Sequence, residues 1–262
     1  MTVATSFHLF ILTGASRGMG HAMAGQLLQP GHTVLTLSRR IPGGLAAKAQ
    51  AAGAELVQWS VDLADDHNQN HSASAHLHGW LDDIAPQRFA SATLINNAGV
   101  IPPLMPLRDA DSADLMQALR VGLQAPMLLT AAFLSGTRHW TGQRKVLNIS
   151  SGLGRRAMAS QSAYCAAKAG LDHFTRCLAL DEAAQPNGAK VCALAPGVID
   201  TDMQTHLRSA DAAHFPDQAA FGQLKTNGQL AHPDDAARVV LAWLARPDFG
   251  DPPVADVRTP RA

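Results

Sequence analysis

Phe7-His8-Leu9-Phe10-Ile11-Leu12-Thr13-Gly14-Ala15-Ser16-Arg17-Gly18-Met19-Gly20 is the stretch that sets the fold of this chain. Residues 7–13 are almost continuously apolar, the pattern of a strand covered on both faces. Residues 19–28 carry helical periodicity and stop at Pro30-Gly31. Between them, Gly14, Gly18 and Gly20 permit a tight turn and close backbone approach, and a helix that starts there points its first N–H groups at an anion. A glycine-rich turn by itself is ordinary loop chemistry. With a strand before it and a helix after it, the turn reads as a dinucleotide site, spaced Gly-x-x-x-Gly-x-Gly rather than the commoner Gly-x-Gly-x-x-Gly.

The alternation continues outward. Short apolar runs at 33–38, 55–61, 93–96, 145–150 and 190–195 are separated by helical patterns. This predicts an α/β fold with a doubly wound parallel sheet, helices on both faces, and ligands at the carboxyl ends of the strands. With 262 residues and 47% hydrophobic content, one Rossmann-type domain over 1–262 is expected. The proline-rich stretch Ile101-Pro102-Pro103-Leu104-Met105-Pro106 reads as a loop within it.

Lys plus Arg equals Asp plus Glu at 21 each, so no charge imbalance favours nucleic acid or an anionic membrane, and the expected partner is a small molecule. Cys165, Cys177 and Cys192 form no C-x-x-C pair and are odd in number, which fits a reducing cytoplasm. Residues 1–10 place no basic residue ahead of a short apolar run, and no apolar stretch of about 20 residues is expected. His67, His71, His76 and His78 read as solvated residues of an exposed helix rather than as metal ligands; no metal is expected.

The chain has one tyrosine, Tyr164, with Lys168 four residues on. That spacing puts phenol and ammonium on one helix face. A cation there favours the phenolate and draws a group of reference pKa about 10 toward neutrality. Alone, such a pair is also a common surface feature. After the second strand come Ser38-Arg39-Arg40, with Arg17 in the first turn. An acid at that place would bind the ribose 2′-hydroxyl of NAD, whereas guanidinium groups fork onto the 2′-phosphate of NADP. Solvated arginines are the other reading; the missing acid favours NADP(H).

With Asn96-Asn97-Ala98-Gly99 after the fourth strand, Asn148-Ile149-Ser150-Ser151 after the fifth and Pro196-Gly197-Val198-Ile199-Asp200-Thr201 after the sixth, the chain resembles the short-chain dehydrogenases/reductases over nearly its full length. The resemblance implies an NADPH-dependent oxidoreductase acting on a carbonyl. Ser151 would hydrogen-bond the carbonyl oxygen, Tyr164 would protonate it, and Lys168 would lower the tyrosine pKa and hold the nicotinamide ribose. Gly14, Ser16, Arg17, Gly18, Met19 and Gly20 would cradle the phosphates, Arg39 and Arg40 the 2′-phosphate, and Asp62 and Leu63 the adenine. Asn97, Ala98 and Gly99 would line the ribose; Pro196, Gly197, Val198, Thr201 and Met203 would border the nicotinamide. A homodimer or homotetramer through the fourth and fifth helices is also implied, with residues 115–133 richer in Leu, Met and Ala than a solvated face needs.

Asp200-Thr201-Asp202-Met203-Gln204, residues 224–230 and Val254-Ala255-Asp256-Val257 look like the sepiapterin-reductase branch and its bacterial benzil-reductase relatives. There Asp256 would anchor a pterin edge; an exposed carboxylate is the other reading. Leu153, Met158, Met105, Met203, Leu207, Phe215 and Phe221 are candidates for an apolar substrate lining or for plain core. Arg155 and Arg156 read as facing solvent or meeting a polar substrate edge. The resemblance further implies that the segment at about 200–230 covers the substrate and that an asparagine in the fourth helix helps hold a water leading protons to the lysine; this chain has Gly122 there, which costs a helix about 1 kcal/mol against alanine and suggests a bend or a close contact. A 3-oxoacyl carrier-protein reductase and a non-catalytic NADP-binding regulator are the rival functions.

Overall fold

The computed structural model describes residues 7–65 and 72–259. His67 and His71 fall outside them. The strands are β1 (His8–Thr13), β2 (His32–Ser38), β3 (Glu55–Ser60), β4 (Ser91–Asn96), β5 (Gln143–Ile149), β6 (Lys190–Ala195) and β7 (Val254–Asp256). They form one sheet in the order β3-β2-β1-β4-β5-β6-β7, and every pairing is parallel. The order reverses direction between β1 and β4. At that switch point the turns leaving the two strands diverge and open a crevice at the carboxyl edge.

Side chains alternate along each strand, and both faces are buried. Leu9 and Ile11 of β1 enter one core with Leu77 and Leu81 of α3 (Ala73–Asp82) and Phe133 of α5 (Ala125–Gly136). Leu12 enters the other with Met23 of α1 (Gly18–Leu27), Leu45 of α2 (Leu45–Ala52) and Val240 of α9 (Pro233–Leu244). This two-sided burial explains why the strands read as unbroken apolar runs. The expected strands lie within one or two residues of the observed ones. β7, only three residues long, is too short to show a period.

α4 (Ser112–Leu119), a π-helical segment (Arg120–Gln124) and α5 form one continuous helical run. By length and composition this run, Ser112–Gly136, holds an 18-residue window of mean hydropathy 1.3 and is apolar enough to cross a membrane, contrary to the sequence expectation. Half of its apolar window is buried inside the protein, with Leu129 and Phe133 in the core, so a core helix accounts for that composition. On its outer side Met116, Met127 and Leu128 stay exposed. After β6 the chain forms α7 (Asp202–Arg208) and α8 (Gln218–Thr226), which pack Leu207, Phe215 and Phe221 with Leu104 into a separate cluster. The long helix α6 (Ser162–Ala183) backs β5 and β6.

Candidate active site

The crevice at the switch point is a cleft of about 760 Å³, inside the range of about 300–1,000 Å³ usual for cofactor and substrate sites. Its floor is built by close approach. Thr13 Oγ1 accepts from the N–H groups of Asn97 and Ala98, both at 3.0 Å, and Asn97 Nδ2 donates back to the Thr13 carbonyl at 3.0 Å. A Cβ on Gly20 would stand 2.2 Å from the Gly14 carbonyl oxygen, and one on Gly14 2.9 Å from Ala98 Cα. Gly14 and Gly18 also sit at φ +74° and +55°. The turn therefore exists only with these glycines, and it leaves Gly14, Ser16, Arg17, Gly18, Met19 and Gly20 lining the cleft at the start of α1.

Around the rest of the cleft lie Arg39, Asp62, Leu63, Asn97, Ala98, Gly99, Pro196, Gly197, Val198, Thr201 and Met203. At the end of β2 the buried Ser38 hydroxyl accepts from Ala15 N–H at 3.0 Å and pins the glycine turn. No carboxylate occupies that strand end; Arg39 follows and lines the cleft, while Arg40, the next residue, is exposed outside it. Successive side chains leaving a strand point opposite ways. Arg17 pairs with Asp202 of α7 at 2.7 Å, both side chains 69% exposed. The glycine cradle, the free backbone turn and the cations beside it fit a phosphorylated dinucleotide.

The residues expected to react lie on α6 and the turn after β5. Tyr164 and Lys168 are buried, and Ser151 hydrogen-bonds Tyr164. Burial pushes the Tyr164 phenol above its ordinary value, and the Ser151 bond only partly offsets that. The expectation that Lys168 lowers this pKa is not met here. The ammonium stands 5.8 Å from the ring centroid and donates instead to the Ile149 carbonyl at 2.7 Å. Burial brings Lys168 down to about 8, against the opposing pull of Asp172. Tyr164 is thus a protonated phenol, suited to giving a proton.

Leu153, Met203, Leu207 and Phe221 make an apolar side to the cleft, with Gln117, Gln204, Arg156 and Arg258 as its polar points. Six of the expected or candidate site residues do not line it: Arg40, Met105, Arg155, Met158, Phe215 and Asp256. Met158 packs with the Leu104, Leu207, Phe215 and Phe221 cluster, which also buries Phe215. Asp256 is engaged by Arg258, whose Nε and second guanidinium nitrogen reach its carboxylate at 2.9 and 2.7 Å; that contact, first of all, holds the Asp256 carboxyl below its usual range. Arg155, exposed as expected, also pairs with Asp172 at 2.9 Å. Sequence reasoning missed Gln117, Val121 and Arg258, which carry no motif, and gave no role to Gln204 although it ends the quoted 200–204 stretch. It also missed Asp172, although the step from Lys168 to Asp172 repeats the four-residue step from Tyr164 to Lys168. His76 stacks on Trp59 at 3.9 Å and His78 lies 3.2 Å from Ser135 Oγ.

Gly122 answers to both expectations made for it. It lies in the π-helical segment, where Ala125 N–H reaches Arg120 O over five residues, and a Cβ there would stand 3.0 Å from Ala167 Cβ, next to Lys168. Pro126 has no N–H, so the Gly122 carbonyl four residues earlier lacks its α-helical donor.

The sequence profile of the short chain dehydrogenase family matches residues 8–212. A benzil reductase of Bacillus cereus that forms (S)-benzoin is 35% identical over 239 residues, covering 91% of this chain and 94% of the relative. Sepiapterin reductase of Rattus norvegicus is 31% identical, over 91% and 92% of the two chains. Among solved structures, a putative 2-deoxy-D-gluconate 3-dehydrogenase from Agrobacterium tumefaciens with bound NADP superposes with a TM-score of 0.74 at 26% identity, covering 98% of this chain and 97% of that one.

The Gly122 carbonyl, which lacks its α-helical donor, gives a test of the proton supply to Lys168 that the family's asparagine would serve. Gly122→Asn must push Ala167 aside but leaves the carbonyl in place, so turnover is expected to change by less than about tenfold, roughly 1.4 kcal/mol in barrier. A larger loss in a variant that unfolds at the wild-type denaturant midpoint would assign the role to the bare space at 122 instead.

Proposed function

This chain belongs to the short-chain dehydrogenase family, and on that footing we propose that it is an NADPH-dependent carbonyl reductase for apolar ketones or 1,2-diketones of the benzil type. One observation carries the reading: a buried Tyr164, hydrogen-bonded to Ser151 and one turn from a buried Lys168, lines a cleft with an apolar side. Bound along the glycine turn, the dinucleotide supplies a hydride to the carbonyl carbon. As that carbon is reduced, negative charge grows on the oxygen, where preplaced donors act most strongly. Ser151 stabilises it by donating a hydrogen bond, and Tyr164 transfers its proton to give the alcohol. The charge of Lys168 then stabilises the phenolate until a proton from solvent restores the phenol.

The apolar wall of Leu153, Met203, Leu207 and Phe221 favours a hydrophobic or aromatic ketone over a pterin, because Asp256, the expected pterin anchor, is committed to Arg258. NADPH oxidation is the test, with benzil, sepiapterin, isatin and a 3-oxoacyl thioester as the panel. The diketone should turn over fastest. Highest activity on the thioester would move the enzyme to the rival reductase class, and no turnover with any member would leave a dinucleotide-binding regulator.

Selection of NADP rests on Arg39, on Arg17 and on the absence of an acid at the end of β2; the NADP bound in the Agrobacterium relative agrees. NADPH should bind at least about tenfold more tightly than NADH, or about 1.4 kcal/mol. Arg39→Ala should remove most of that preference while leaving NADH affinity unchanged in a fluorescence titration. Equal affinities in the unaltered protein would overturn this part.

The proposal extends to a homodimer or homotetramer in the cytoplasm. Met116, Met127 and Leu128 are 47%, 41% and 38% exposed on one helical run, an apolar face of the kind oligomers cover. Sedimentation should show a species of at least twice 27.6 kDa; a monomer at micromolar concentration would refute it.

A further inference from the structure

Tyr164, Lys168 and Asp172 stand on α6 at successive four-residue steps, and the chemistry above uses only the first two. Asp172 is 1% exposed. A buried carboxylate is retained only with partners, and this one is held from both sides. Ser150 Oγ donates to Oδ1, and Arg155 Nε donates to Oδ2 at 2.9 Å. The other end of the Arg155 fork donates to the Ala255 carbonyl in β7 at 3.0 Å. Lys168 grips the residue before Ser150, through the Ile149 carbonyl. Two buried, oppositely charged side chains of one helix face therefore hold two consecutive residues at the end of β5, and Ser151 follows directly. Gly154 lets the chain close over them, since a Cβ there would lie 2.9 Å from the Lys168 carbonyl oxygen and 3.1 Å from Asp172 Oδ2.

We infer that Asp172 is a positioning residue of this site: its carboxylate is the counter-charge of Lys168 and, through Ser150 and Arg155, fixes the strand end that presents Ser151. The charged and titratable groups around this pair come from three elements. Tyr164 lies on α6 itself, Arg155 on the turn after β5, and Asp256 on β7, where Arg258 engages it. The π-helical segment turns Leu123 toward α6 at Gly170 and Gly122 at Ala167. Burial lowers the proton affinity of Lys168 and Asp172 opposes that fall, so the sign of each substitution follows. Removing the carboxylate charge lets the lysine lose its proton at lower pH. Removing the Arg155 cation leaves Asp172 uncompensated and makes the lysine hold its proton to higher pH.

The inference rests on reading Ser151, Tyr164 and Lys168 as the reacting set, but its measurement needs no substrate. The chain has five lysines, at 48, 145, 168, 190 and 225, few enough for a 13Cε-lysine NMR titration assigned with a Lys168→Arg protein. Asp172→Asn should reduce the proton affinity of Lys168 about tenfold or more, and Arg155→Gln should raise it about threefold or more. Ser150→Ala, which keeps the charge and removes one hydrogen bond, should leave the titration within about twofold. Opposite shifts from the two charge variants are what a merely structural role would not produce. An unmoved Lys168 in Asp172→Asn, or in Arg155→Gln should the former not fold, overturns the inference. If the lysine titration shifts as stated but no carbonyl compound is reduced, the positioning role stands and the proposed function falls.

Discussion

Everything at the carboxyl edge of the sheet depends on how closely two loops can approach at the switch point. Thr13 and Asn97 tie the end of β1 to the end of β4 through reciprocal hydrogen bonds, and the contact is so close that neither Gly14 nor Gly20 can carry a side chain. Because the order of strands reverses there, the chains leaving β1 and β4 turn to opposite faces. A bed of backbone N–H groups lies between them. Asn97 thus acts first as a structural clamp; whatever it offers a ligand comes from the part of the residue not spent on Thr13.

A second layer of polar contacts lies beneath the reacting groups. Asn96 donates to Asn148 at 2.8 Å and Asn148 to Thr175 at 2.9 Å, all buried. This chain joins β4, β5 and α6 at the level of the site. Asn96 also donates to Thr130 at 3.2 Å, while its own Oδ1 is buried without a partner among the described residues. The cost of sinking Lys168 among apolar neighbours appears as its depressed proton affinity. That cost is tolerable because Ile149 O accepts from it and Asp172 lies one turn away. Tyr164 bears the same cost with the opposite consequence, since burial keeps its proton on.

The fold was legible because buried parallel strands announce themselves twice, as apolar runs and by the turn residues that follow them. Gly14, Ser16 to Gly20, Asn97, Ser151, Tyr164 and Lys168 sit at such strand ends or at a helical step from one another, and all of them line the cleft. What was illegible depended on contacts between distant segments. Asp256 looked available until Arg258 folded back on it, and Arg155, exposed as expected, gave no sign that it would also pair with Asp172. Met158 and Phe215 were apolar residues in a covering segment, and only packing decides whether such residues face a ligand or each other. The direction of the tyrosine shift was misread for the same reason: spacing places the lysine on the right face, but burial, which spacing does not report, outweighs it.

The ion pair between Arg17 and Asp202 gives the nucleotide end of the cleft an unusual response to ionic strength. A phosphate that takes up Arg17 must displace a carboxylate already 2.7 Å away. Dissolved ions screen the attraction between the guanidinium and the incoming phosphate, yet they screen the competing pair as well, since both side chains are largely in water. The two effects oppose each other. A cation held in reserve by its own acid therefore flattens the dependence of nucleotide affinity on salt, compared with a bare arginine at the same place.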